Sequence, residues 1–184
     1  MTVQFMVLGG PRSGSTWAAN WLTTDRNICL HDPLLEYTKH QLDIMEIPGH
    51  RIGISCTSSI LFPEWVLKHP ARKAILYRET DEINYALEAL GLTRLEHGGH
   101  ARRLKALIDV GIPVWWWQSL FDRKEAMALW THLIPDMPFD PYRHQLLSEM
   151  NIQPQWKRLA LGKEGVADLV TRIGETLGVP EQAA

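Results

Sequence analysis

Val3-Gln4-Phe5-Met6-Val7-Leu8 runs directly into Gly9-Gly10-Pro11-Arg12-Ser13-Gly14-Ser15-Thr16-Trp17. An apolar run, a glycine-rich turn and a helix start in that order make a phosphate cradle, because the turn aims backbone N–H groups outward at the positive end of the helix dipole. Against the pattern G-x-x-x-x-G-K-[ST], Gly9, Gly14 and Thr16 are in register, but Ser15 stands at the lysine position. The loop's cation is Arg12, three places earlier. A lysine in that position serves the β- and γ-phosphates of a nucleoside triphosphate beside Mg²⁺, so ATP hydrolysis is poorly served here. Arg12 at the mouth of the loop suits a terminal anionic group or a bridging leaving oxygen.

Outward from the loop, Asn27–Leu30, Arg51–Cys56, Lys73–Tyr77 and Ile112–Trp116 are further short apolar runs. They alternate with helix-period segments, such as Ile83, Ala86, Leu87 and Leu90, then Ala126, Leu129, Trp130 and Leu133, then Val166, Leu169, Val170, Ile173 and Leu177. The pattern predicts an α/β fold of three layers, α/β/α, around a central, mostly parallel five-stranded sheet. Asp32 before Pro33, Asp122 three residues before Glu125, and Asp140 before Pro141 read as helix caps, with Gly91, Gly111 and Gly178 as stops. Residues 1–179 read as one domain and 180–184 as a loose tail.

The 184 residues, 45% of them hydrophobic, suffice for one real core. A net charge of −2 gives no general attraction to nucleic acid or an acidic membrane, so the expected partner is a small molecule. Cys29 and Cys56 are too few for a disulfide framework and sit near strand ends, where buried thiols are ordinary. No apolar stretch approaches the roughly 20 residues of a membrane span, and no leader is apparent, which predicts a cytoplasmic protein.

Pro11-Arg12-Ser13-Gly14-Ser15-Thr16-Trp17 resembles the 5′-phosphosulfate-binding loop of the sulfotransferases, Pro-Lys/Arg-Ser-Gly-Thr-Thr followed by a large apolar residue. The resemblance implies a P-loop-related fold that uses 3′-phosphoadenosine 5′-phosphosulfate as co-substrate without a metal. Arg12, Ser13, Gly14, Ser15, Thr16 and Trp17 would line its phosphosulfate, with Arg12 on the bridging oxygen. Lys73-Ala-Ile-Leu-Tyr-Arg78-Glu79 is similar to the later family strand whose terminal arginine contacts the 3′-phosphate, which implies that role for Arg78. Eight residues beyond, where the family carries a serine, the chain has Ala86; Asn84, Thr80 or Lys157-Arg158 would have to replace that contact. The likeness covers about residues 3–90, with a fainter echo at Val114–Leu120. The chain is shorter than typical members.

Sulfuryl transfer to an acceptor, whether a small molecule, a glycan or a peptide, requires a base to relieve the attacking hydroxyl or amine of its proton. His31, Asp32 and Glu36, beyond the second strand, open on the same edge as the loop; His31 is the preferred base, since imidazole titrates near neutrality. Asp32 doubles as a cap and Glu36 as a first-turn acid. Ser55, Thr57, Ser58 and Ser59 follow the third strand and read first as turn and cap residues. His97-Gly-Gly-His100 lacks a third metal ligand nearby, so no metal is expected. Trp115-Trp116-Trp117 reads as core and interface, Trp17 and Trp21 as packing, and Arg102, Arg103 and Lys105 as a solvated face. An exposed tryptophan cluster would also suit a homodimer. Two other classes stay open: a P-loop kinase or phosphotransferase dependent on Mg²⁺, and a nucleotide-binding module without turnover.

Overall fold

The computed structural model describes residues 3–95 and 99–150, which belong to one compact unit. The first strand, β1 (Val3–Gly9), buries Phe5, Met6, Val7 and Leu8 on both faces, the signature of a central parallel strand. It is flanked by β3 (Arg51–Cys56) and β4 (Arg72–Tyr77), with β2 (Asn27–His31) and β5 (Val114–Trp116) at the edges, in the order β2-β3-β1-β4-β5. All four pairings are parallel. The helices are α1 (Ser15–Leu22), α2 (Lys39–Ile44), α3 (Pro63–Lys68), α4 (Thr80–Glu88), α5 (Gly99–Asp109), α6 (Arg123–Leu133) and α7 (Pro141–Glu149).

Alternation along β1 divides the core in two. Phe5 and Val7 join Trp17 and Trp21 of α1 and Leu129 and Trp130 of α6 on one face. Met6 and Leu8 join Leu42 of α2, Val66 of α3 and Leu104 and Leu107 of α5 on the other. The sheet is therefore the middle of three layers, as the alternating runs predict. Cys29 and Cys56 are buried free thiols, one in each core, and burial pushes the Cys29 thiol up. Among the described residues no helix is long and apolar enough to cross a membrane.

Asp122 caps α6 by accepting from the Lys124 and Glu125 N–H groups, and Asp140 caps α7 by accepting from Arg143. Gly91 and Gly111 lie just past α4 and α5 with positive φ. Asp32 departs from expectation. The segment after it is only a 3-10 turn, Pro33–Leu35, and Asp32 itself takes left-handed φ 45° with no side-chain capping bond. The regular helix starts later, at a Thr38/Gln41 capping box. β5 is shorter than the apolar run Ile112–Trp116, because Pro113 has no N–H to donate, although its carbonyl accepts from Ile75 at 2.8 Å. Val166–Leu177, Gly178 and the tail lie outside the described residues.

Candidate functional site

Parallel strands bring the ends of β1, β2, β3 and β4 to one edge of the sheet, and the glycine-rich loop leaves β1 there. Gly14 is the N-cap of α1 with φ 88°, a left-handed conformation that glycine adopts without strain. The first helical bond runs from Ala18 N–H to the Gly14 carbonyl at 2.9 Å, leaving the Ser15, Thr16 and Trp17 N–H groups of the first turn without an intrahelical acceptor. Arg12 also lies in the left-handed region, at φ 62°, where a long side chain is uncommon and strained.

The loop's hydroxyls divide. Ser13 is buried and donates to the Gly10 carbonyl at 2.6 Å, so it closes the loop and is not a free donor to an anion. Ser15 and Thr16 face His31: its Nε2 lies 3.3 Å from Ser15 Oγ and 3.1 Å from Thr16 Oγ1. The same nitrogen lies 3.3 Å from Asp32 Oδ2. Asp32 Oδ1 accepts from the Thr57 N–H at 2.6 Å and its hydroxyl at 2.9 Å. Ser55, opposite His31 in the β2–β3 register, donates from Oγ to the Ser15 carbonyl at 2.8 Å and ties β3 to the loop. The left-handed turn at Asp32 is what aims its carboxylate back at the sheet edge.

Chemically, Nε2 without its proton accepts from a hydroxyl. With a proton it faces the Asp32 carboxylate, which offsets the new charge. Glu36, by contrast, is exposed at the end of the 3-10 turn, and no hydrogen bond or ion pair among the described residues joins it to the loop. Ser59 donates to the Cys56 carbonyl and Ser58 lies 3.3 Å from Cys56 Sγ, both turn roles.

Arg12 and Arg78 meet on the other side of the loop. Arg78, just past β4, donates from Nη1 to the Arg12 carbonyl at 2.6 Å and from Nε to Glu82 Oε2 at 3.2 Å. Its guanidinium carbon lies 4.3 Å over the Trp117 ring, and Trp117 Nε1 donates to the same Glu82 oxygen at 3.1 Å. Burial holds Arg12 below the usual arginine range, and the charge of Arg78 adds to it. Arg12 Nε is buried without a hydrogen-bond partner, and no carboxylate pairs with Arg12 among the described residues. Two guanidinium groups thus meet at one loop, and among the described residues the one carboxylate paired with either is Glu82, on Arg78, an arrangement that an anion would relieve.

Trp117 was not legible as a site residue, because a run of three tryptophans does not reveal which ring meets the arginine. Trp115 packs on the main core, while Trp116 is half-exposed and edge-on to Tyr77 at 5.0 Å. Trp17 buries its ring against Trp21 and Phe121 and donates Nε1 to the Leu147 carbonyl, so only its backbone N–H belongs to the loop. Asn84 is fully buried and accepts from the Leu95 N–H at 2.8 Å, which ties it to the chain beyond α4. Ala86 adds no donor. Lys157, Arg158 and His97 lie outside the described residues.

No family model matches the chain, and neither the curated proteins nor the solved structures contain a match.

Proposed function

We propose that the chain is a sulfotransferase-like enzyme that moves a sulfuryl group from 3′-phosphoadenosine 5′-phosphosulfate to an acceptor hydroxyl or amine. The observation that carries this reading is His31 Nε2 at 3.1 Å from Thr16 Oγ1 and 3.3 Å from Asp32 Oδ2, beside a loop whose Arg12 has no carboxylate partner among the described residues. The first-turn N–H groups and Arg12 Nε fit the 5′-phosphosulfate. Arg78, held by Glu82 and Trp117, fits a second anionic group of the same nucleotide.

In this reading the acceptor oxygen or nitrogen bonds to sulfur as the bond from sulfur to the bridging phosphate oxygen breaks. His31 Nε2 receives the acceptor's proton, with Asp32 steadying the resulting imidazolium. The bridging oxygen leaves with adenosine 3′,5′-bisphosphate, its charge met by Arg12. A nucleotide-binding module without turnover is the second reading, favoured by Ala86 where the family has a serine and by Arg78 being already engaged by Glu82.

Calorimetric titration with adenosine 3′,5′-bisphosphate and with ATP, each with and without Mg²⁺, tests the reading. Metal-independent binding of the bisphosphate, weakened about tenfold or more in Arg12→Ala, is expected from the loss of a charge-assisted contact. Preferential Mg·ATP binding would overturn it. Labelled donor offered to a panel of acceptors then separates enzyme from module. His31→Ala is expected to cut turnover by about 10²–10⁴ with little change in bisphosphate affinity.

A further inference from the structure

A second recess opens beside the loop, a cleft of about 320 Å³ lined by Pro11, Thr57, Ile60, Leu61, Leu95 and Arg103 among others. Its position follows from the strand order. Arg78 and Trp117 stand past β4 and β5 on one side of β1, whereas the residues just past β3 stand on the other, next to β2 and His31. Thr57 belongs to both regions, since it lines the cleft and donates twice to Asp32, the neighbour of His31. The cleft therefore reaches the candidate base through Thr57, while Pro11, next to Arg12, and Leu95 and Arg103, from the crossover between β4 and β5, close it against the loop.

The walls of the cleft define its occupant. Ile60, Leu61 and Leu95 supply an apolar surface; Leu61 is half-exposed although it is a large apolar side chain. Phe62, Leu35 and Tyr37 continue that exposed apolar surface along the same edge into a neighbouring recess. At the α5 end Arg103 brings a cation that makes no ion pair among the described residues, and no carboxylate is among the residues lining the cleft. His100, one turn earlier, presses its ring on the loop: a Cβ on Gly10 would lie 2.6 Å from its Nε2. Burial, with Arg103 second, pushes the His100 pKa down, so the ring adds no second positive charge at neutral pH. A volume of this order suits a small molecule.

We propose that this cleft is the acceptor subsite and that it takes a small amphiphile, with an apolar body against Ile60, Leu61 and Leu95, an anionic group on Arg103, and a hydroxyl or amine directed past Thr57 toward His31. The assignment of the occupant as acceptor rests on the sulfotransferase reading. The existence of an anionic-amphiphile site does not.

Three probes of one shape and different charge test it on the full chain: 3-(4-hydroxyphenyl)propionate, its neutral amide, and the cation tyramine. Affinity comes from calorimetry and location from methyl NMR shifts of Ile60, Leu61 and Leu95. The carboxylate is expected to bind saturably and about fivefold tighter than the amide, with tyramine weakest, as a solvent-accessible ion pair allows. Arg103→Gln should erase the difference between carboxylate and amide. Leu61→Asp should weaken the carboxylate and the amide, with unchanged melting temperature in both exposed-site variants.

Saturating adenosine 3′,5′-bisphosphate should leave probe binding in place. Competitive displacement by it would overturn the acceptor assignment and make the cleft the nucleotide's own seat. Absence of saturable binding, or an Arg103→Gln chain that still prefers the carboxylate, would overturn the site itself. Failure of the bisphosphate to bind at all, with the probes still bound as expected, would sink the sulfotransferase reading and with it the acceptor assignment, but not the site.

Discussion

A Cβ on Gly53 would overlap two carbons of the Phe5 ring, and Phe5 has no exposed surface. Neither strand can retreat, because β3 and β1 are paired in the middle of the sheet. Gly53→Ala is therefore expected to destabilise the fold by about 1–3 kcal/mol, the usual range for overpacking, read as a lowered midpoint in chemical denaturation. Combining it with Phe5→Leu should cost less than the two single changes added together, since the ring atoms in conflict are then gone. Asp32 carries the corresponding argument for the site. Asp32→Asn preserves a side chain tolerated at left-handed φ but removes the charge facing His31 Nε2. Turnover is expected to fall while the denaturation midpoint moves little. Unchanged turnover would show that Asp32 only holds the turn. The sequence does show Asp32 beside His31, but Asp-Pro looks the same whether the carboxylate caps the next helix or reaches 25 residues ahead to Thr57. Only the tertiary partner decides between them.

Among the elements, α6 shows which local signals survive folding. Asp122 accepts from two N–H groups at 2.9 Å, and the helix it starts delivers Ala126, Leu129, Trp130 and Leu133 to the core under β1 and β4. Asp122→Ala should cost about 1 kcal/mol by thermal melting, the typical loss of an N-cap. Asp32→Ala should cost stability as well as activity, because it removes both bonds from Thr57 and leaves alanine at left-handed φ, so Asp32→Asn is the variant that separates the two. The strands were legible for a related reason: a buried parallel strand must be apolar on both faces, so Met6-Val7-Leu8 and Ala74-Ile75-Leu76 stand out from any amphipathic helix. The glycine-rich loop at the sheet edge and the approach of His31 to it were legible because parallel strands share one carboxyl edge. The bracing of Arg78 by Trp117 was not, since β5 and the 3-10 turn Trp117–Phe121 reach that arginine through a crossover that spacing alone does not orient. Glu82, four residues from Arg78 on α4, was the one brace that helical spacing offers.

For the whole molecule, two histidines with depressed pKa, the buried His69 and the half-buried His100, are expected to set the acid limit of the fold. His69 closes α3 with its ring under Trp65, and its Nδ1 accepts from the Ala71 N–H at 3.1 Å while Nε2 lies 3.3 Å from Asp43 Oδ1. Burial pushes its pKa below the ordinary 6.5 and outweighs the pull of Asp43 in the other direction. His100, against Gly10, is pushed the same way by burial and then by Arg103. A histidine whose folded pKa is depressed binds its proton more readily in the unfolded chain. Its contribution is therefore fully present above the unfolded value and is lost as pH falls through the folded one. The denaturation midpoint should thus fall between about pH 7.5 and about pH 5.5, before carboxylates such as Asp136, held down by its hydrogen bonds from Arg51, begin to protonate. His69→Gln, which cannot titrate, should flatten the decline, and adding His100→Gln should flatten it further. A midpoint that declines with unaltered slope in the double variant would place the acid sensitivity elsewhere. If His100→Gln alone accounts for the change, the acid limit lies at the loop, and the fold would then lose its candidate anion site before its core.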